Sequence, residues 1–127
     1  MIMGAHILLI SENAEADRAF FRDVLGYHNV DAGRGWLIFK LPPAELAVHP
    51  AGEEKPQRHT EHAMLGAVLY LLCDDLQATI KMLQAKNVSC TEIGEERWGV
   101  RTTIRLPSGG EIGLYQPKHQ LAIALEA

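Results

Sequence analysis

Two phenols, an indole and a guanidinium are the side chains of this sequence best equipped to hold a small molecule: Tyr70, Tyr115, Trp98 and Arg101. A tyrosine offers an apolar ring and a hydroxyl that can donate or accept, and an indole offers a broader face for stacking. Arg101 ends the polar-aromatic run Glu95-Glu96-Arg97-Trp98-Gly99-Val100-Arg101, and its planar fork suits a carboxylate or similar anion. Each of these residues also has a plainer use, as core packing with the hydroxyl at water or as the anchor of a solvated loop. Of the 6 histidines, His6 precedes the run Ile7-Leu8-Leu9-Ile10 and His49 precedes Pro50. His6 reads either as a hydrogen-bonded structural histidine or as a group that touches a ligand, and His49 either as a surface histidine at a strand end or as a group that touches a ligand. His59 and His62 lie in or beside a charged stretch with no third ligand at metal spacing, and His28 and His119 read as surface residues. Cys73 and Cys90 form no CxxC pair, and Cys73 has no His or Lys beside it in sequence, so it reads as an apolar filler rather than a nucleophile.

The elements that must position these groups occur twice. Trp36-Leu37-Ile38-Phe39-Lys40-Leu41-Pro42 leads into Glu45-Leu46-Ala47-Val48-His49-Pro50, and Thr102-Thr103-Ile104-Arg105-Leu106-Pro107 leads into Glu111-Ile112-Gly113-Leu114-Tyr115-Gln116-Pro117. An offset of about 65 positions, half the chain, marks one supersecondary unit used twice. In the first copy, residues 7–10 read as a strand buried on both faces. Ser11-Glu12-Asn13 supplies a helix cap, and residues 14–25 carry the apolar stripe Ala16, Ala19, Phe20, Val24 with Phe21 beside it. Gly26 stands where a helix ends, and strands follow at 27–31, 36–41 and 45–49. Asp17, Arg18, Arg22 and Asp23 read as a solvated helix face with no chemistry.

The second copy repeats the order. A strand at 68–72 precedes a helix capped by Asp74-Asp75, with the stripe Leu76, Ile80 and Leu83, joined by Met82, and Asn87 at its close. Strands at 88–92, 100–106 and 111–115 complete it, with Pro107-Ser108-Gly109-Gly110 as the last turn. Residues 51–61 carry charge without apolar periodicity and read as a solvated linker. Residues 118–127, with Leu121, Ala122 and Leu125, read as a tail that docks as a short helix or arm. The expectation is one α+β domain over residues 1–127, with a βαβββ module at about 4–50 and a second at about 62–117. Tyr70 shares strand-face parity with Val68, and Tyr115 with Gly113, while Gly113 and Ala47 leave space on their strand faces.

At 127 residues, 47% hydrophobic and 22% charged, the chain has the make-up of an ordinary soluble domain. A net charge of −4 without any Lys/Arg block argues against nucleic-acid partners, and no apolar run is long enough to span a membrane. The N-terminus lacks signal-peptide order, and two unpaired cysteines suit the reducing cytoplasm.

The order of elements resembles the vicinal-oxygen-chelate superfamily of glyoxalases, bleomycin-resistance proteins and extradiol dioxygenases. The residues that carry the resemblance are His6-Ile7-Leu8-Leu9-Ile10, the helix end Phe20-Phe21-Arg22-Asp23-Val24-Leu25-Gly26, Cys73-Asp74-Asp75-Leu76, and the closing hairpin Leu106-Pro107-Ser108-Gly109-Gly110-Glu111-Ile112-Gly113-Leu114-Tyr115-Gln116-Pro117. It implies two βαβββ modules forming a cup-shaped mixed sheet with helices outside, a small organic ligand in the cup, and a homodimer. Tyr70 and Tyr115 would then face that cup. Metal-binding members hold one divalent ion through the first and last strands of each module. Here those positions are His6, Val68, Ala47 and Gly113, of which only His6 is a ligand type. His49, two residues from Ala47 on the same strand face, would supply the second metal ligand, and Glu111 a third. The resemblance thus implies a ligand site of His6, His49, Tyr70, Tyr115, Trp98 and Arg101 and leaves three functions open. They are a metal-dependent lyase, isomerase or dioxygenase, a metal-free protein that sequesters a ligand or drug, and an interaction module whose cup is filled by its own rings.

Overall fold

The computed structural model of the chain describes residues 1–53 and 57–126. Their elements in chain order are α1 (Ala14–Asp23), β1 (Asn29–Asp31), β2 (Leu37–Phe39), β3 (Gln57–His59), β4 (His62–Met64), β5 (Tyr70–Leu72), α2 (Leu76–Ala85), β6 (Gly94–Glu95), β7 (Gly99–Arg105), β8 (Glu111–Pro117) and a 3-10 turn at Ala122–Ala124. The mixture is the α+β class expected from the sequence. The chain forms two compact units, one of Met1–Leu41 with Arg105–Glu111, the other of Pro42–Ile104 with Ile112–Ala127.

In the first unit α1 starts where Asn13 Oδ1 accepts the Ala16 backbone N–H at 3.2 Å, an N-cap that satisfies one orphan donor. It ends as Gly26 takes φ 71° and the Tyr27 N–H returns to the Phe21 carbonyl at 3.0 Å. Phe20 and Phe21 are buried. The Phe21 ring lies 6.1 Å from Tyr27 and 5.7 Å from Phe39 of β2, tilted to each, so the helix stripe meets the β1–β2 hairpin through aromatic rings. The hairpin is antiparallel with Val30 opposite Ile38.

Two sequence expectations change in this unit. Residues 7–10 form no strand, and Ile10 is 64% exposed rather than buried on both faces. Apolar content gives a segment strand propensity, but a strand exists only where a neighbour supplies its ladder bonds, and among the described residues β1 and β2 pair only with each other. Asp17 also leaves its expected solvated face, since it is 7% exposed. Its Oδ2 accepts the Ser11 hydroxyl at 2.6 Å and its Oδ1 accepts the Ser108 backbone N–H at 3.0 Å. Helical periodicity reports apolar faces and misses a carboxylate buried for its acceptors. Arg18 keeps its solvent side but lies over the Trp36 ring at 4.6 Å, a cation–π contact. Asp17→Ala strands two donors, so it should lower the unfolding free energy by about 1–3 kcal/mol in urea titration.

The second unit is built on a four-stranded sheet of order β5-β8-β7-β6. β5 runs parallel to β8, with Tyr70 opposite Gly113 and Leu72 opposite Tyr115. Parallel neighbours need a crossover, which α2 provides. The order of elements from β5 to β8 is that of the expected second βαβββ module. Its second strand is shorter and later than expected: residues 88–92 contribute one bridge, Cys90 to Ile104, before β6 pairs with β7. Asp75 Oδ1 caps α2 at the Ala78 N–H (3.1 Å), and Gln116 Oε1 reaches from β8 to accept the Leu76 N–H at 2.9 Å. Asn87 closes the helix at φ 63°. Leu76, Ile80 and Leu83 of α2 are buried together with Val88, Thr102, Ile104, Ile112 and Leu114, and these make the core of this unit. Alternation along β8 then turns Gly113 and Tyr115 to the opposite face of the sheet.

Two segments before the sheet also differ from expectation. Residues 45–49 form no strand, and Leu46 and Val48 are 91% and 86% exposed. They lack a ladder partner in the same way as residues 7–10. In the segment expected as a linker, residues 54–56 lie outside the described residues. Immediately after them β3 and β4 pair antiparallel, with His59 opposite His62. Their two-residue turn places Thr60 and Glu61 at φ 50° and 67°, the left-handed values of a type I′ hairpin. Without Gly or Asn, its turn was not legible in the sequence. Among the described residues no helix is long and apolar enough to cross a membrane.

Candidate functional site

The open face of the four-stranded sheet gathers most of the residues singled out from sequence. Tyr70 comes from β5, Tyr115 from β8, and Trp98 from the loop entering β7. Their rings meet edge to face, with centroids 5.8 Å apart for Tyr70–Trp98, 5.5 Å for Tyr70–Tyr115 and 4.9 Å for Trp98–Tyr115. Each such contact is worth about 0.5–1.5 kcal/mol beyond area burial, so the three rings hold one another. They are not sealed, since Tyr70 is 39% and Trp98 37% exposed.

Glycines make this arrangement possible. A Cβ on Gly113 would collide with the Tyr70 ring, and a Cβ on Gly99 would lie 2.9 Å from the Tyr115 ring. Each tyrosine therefore packs against a position on a neighbouring strand where a side chain is missing. This corrects the expectation that Gly113 leaves free space: the vacancy is real, and Tyr70 fills it. The parity that puts Tyr70 and Gly113 on one face also brings the ring onto the glycine.

Arg101 shares a face of β7 with Gly99. Its guanidinium covers Gly94, where a Cβ would come within 2.8 Å of Cζ, and it approaches Glu96 at 3.8 Å. The Glu95–Trp98 loop is fastened by Lys118, whose N–H donates to the Trp98 carbonyl at 2.9 Å and whose Nζ reaches Glu95 Oε1 at 3.2 Å.

One polar group was missed by sequence reasoning. His119, read as a surface residue, lies with Nε2 3.0 Å from the Tyr115 hydroxyl. Glu45 Oε2 stands 4.0 Å from the same nitrogen, while its Oε1 accepts the Ala122 N–H at 2.9 Å and so starts the 3-10 turn. The tail thus docks, as expected, as a short helical turn. The four-residue step from Tyr115 to His119 is not a strand spacing, and nothing local signals the contact. Burial, then the nearby Glu45 charge and Tyr70, push the Tyr115 phenol above its ordinary pKa, so it stays protonated at neutral pH.

The two histidines expected to bind metal are placed differently. His6 is exposed in the first unit, outside any helix or strand. His49 is exposed in the second unit, with Nδ1 turned to the Pro50 carbonyl at 2.8 Å. Cys73 is buried, and burial raises its thiol pKa, which suits a filler and not a nucleophile.

Residues 5–114 match the Glyoxalase/Bleomycin resistance protein/Dioxygenase superfamily. The chain belongs to this superfamily. Solved structures of the same fold include TnmS3, an antibiotic-binding protein from Streptomyces sp. CB03234. It is 21% identical, with 93% of this chain and 99% of that one covered at a TM-score of 0.56. A lactoylglutathione lyase from Agrobacterium tumefaciens is 20% identical, with 90% and 92% covered at a TM-score of 0.61. A glyoxylase/bleomycin resistance protein/dioxygenase domain from Frankia sp. EAN1pec is 16% identical, with 93% and 100% covered at a TM-score of 0.56. No curated protein sequence matches the chain significantly.

The superfamily's metal can be tested against the residues present. Val68, Ala47 and Gly113 offer no lone pair, and the space over Gly113 is taken by the Tyr70 ring. Among the described residues, no three of His, Cys, Asp and Glu gather closely enough to hold an ion. The donor set does not fit a catalytic divalent metal.

Proposed function

We propose that this protein binds a flat, small organic ligand on the aromatic face of Tyr70, Trp98 and Tyr115, without a metal ion and without turning it over. The carrying observation is the triad of partly exposed rings, fixed by one another and by the glycines beneath them. Preformed aromatic surface is what a stacking ligand needs, because it is already ordered before binding. Arg101, on the same sheet face, is the group able to receive an anionic substituent. That TnmS3, of the same fold, is an antibiotic-binding protein is in keeping with this reading.

The test is Trp98 fluorescence during titration with a panel of aromatic and antibiotic compounds, in chelator and with added Zn, Ni, Mn, Co or Fe. Quenching is expected that chelator leaves unchanged and that Trp98→Ala weakens at least about tenfold, as for a central aromatic anchor. A panel that leaves the fluorescence unaffected would sink the reading. Metal-dependent turnover would restore the lyase, isomerase or dioxygenase alternative, with His6 and His49 as the residues to examine.

We also infer a homodimer in a reducing, cytoplasmic setting. Leu46, Val48, Leu65 and Val68 are 83–91% exposed, and a second copy would both cover such apolar side chains and offer ladder partners to residues 45–49. Both cysteines are free thiols. Light scattering on a sizing column should give twice the 14.1 kDa chain mass; a monomer at micromolar concentration would overturn the inference.

A further inference from the structure

The Tyr115–His119 contact has a direction, and the direction selects a ligand. His119 Nδ1 lies 2.8 Å from the Gln120 carbonyl oxygen. A carbonyl only accepts, so Nδ1 carries the proton of the neutral ring. In that neutral ring Nε2 is a bare lone pair, and at 3.0 Å it accepts the hydrogen bond that the Tyr115 hydroxyl donates. The phenol has no second proton to give. What it has left to offer a ligand on the aromatic cluster with Trp98 and Tyr70 is oxygen lone pairs.

The imidazole is held in this pose from several sides. The Lys118 N–H is bonded to the Trp98 carbonyl at 2.9 Å, which fixes the chain just before His119. The Tyr115 and His119 rings lie 5.9 Å apart. Glu45, bonded to the Ala122 and Ile123 N–H groups at 2.9 and 3.4 Å, ties down the chain just after it. The raised Tyr115 pKa keeps the phenol proton available for this bond.

We propose that His119 sets the hydrogen-bond polarity of Tyr115, so that the site favours flat ligands carrying an O–H or N–H donor on their edge over ethers and ketones of the same shape. This rests on the ligand-binding reading above. His119 acts here as a positioning residue, through Tyr115, and is expected to leave the stacking surface itself intact.

Two measurements test it. The first needs no ligand: nitrogen NMR of the labelled histidines at mildly alkaline pH should show His119 protonated at Nδ1. Protonation at Nε2 overturns the proposal. The second compares naphthol with its methyl ether, two probes that differ by one donor, by Trp98 quenching in wild type and His119→Phe. The preference for naphthol over the ether should fall by roughly fivefold in the variant, the worth of one ordinary hydrogen bond, and Tyr115→Phe should match that fall. An unchanged ratio with both probes still bound overturns the role of His119 and leaves the aromatic site standing. Failure of wild type to bind either probe overturns the ligand reading, and this inference with it. Should His119→Phe fail to fold, the wild-type tautomer and the Tyr115→Phe ratio still decide.

Discussion

Leu114→Ala is expected to lower the unfolding free energy by about 2–5 kcal/mol, read as a shifted midpoint in urea at unchanged slope. Leu114 is 2% exposed in β8, which lies between β5 and β7 in the sheet, and Ile104 and Ile112 are buried with it, at 0% and 5% exposure. Residues on a central strand cannot close a void by moving the backbone, so most of the cavity penalty remains. A loss of that size is a large share of the stability of a domain this small. An effect below about 1 kcal/mol would mean that the sheet core is packed differently. Leu46→Ala gives the contrast. At 91% exposure its truncation changes nothing in an isolated chain, and a measurable cost there would report a partner molecule.

Gly99→Ala is the second large effect, about 1–3 kcal/mol or somewhat more. A Cβ at Gly99 would sit 2.5 Å from the Gln116 backbone oxygen as well as against the Tyr115 ring. A ring can swing aside, but a carbonyl belonging to β8 moves only if the strand moves. β8 also carries the Gln116 side chain that caps α2 and the Tyr115 phenol that meets His119. The substitution should therefore reduce stability and flatten the near-ultraviolet circular dichroism of the aromatic cluster together. Full retention of that signal with unchanged stability would show that the β7–β8 spacing is looser than the structure has it.

Much of the second unit was legible in the sequence because its signals are local and agree with one another. The α2 stripe of Leu76, Ile80 and Leu83, its Asp75 cap, the Asn87 close and the alternation of β7 and β8 appear where pattern and chemistry place them, while Met82, expected beside that stripe, is 51% exposed. Residues 7–10 and 45–49 failed for a different reason. Their composition is that of strands, but a ladder needs a second strand, and no property of one segment reports whether a partner arrives. In the site, parity placed Tyr70 and Tyr115 on one face with Gly113. What parity could not supply was contact across strands: that the Tyr70 ring rests on Gly113, or that His119 and Glu45 return to the Tyr115 hydroxyl. Asp17 shows the same limit, since its two donors come from Ser11 and Ser108, the latter distant in sequence.

The tyrosine lying on its glycine has a bearing on how the sheet finds its alignment. β5 is only three residues long and forms the edge of the sheet, so few backbone bonds distinguish its correct pairing from a shifted one. A slip of one residue would turn the Tyr70 ring to the helix side, into the space of Ile112 or Leu114. A slip of two would set it against Glu111 or Tyr115, where a side chain already stands. Only the Gly113 position admits the ring, so one bulky side chain and one missing one act as a lock and key for strand register. The pair that presents a partly exposed aromatic surface thereby also rejects misaligned forms of the chain.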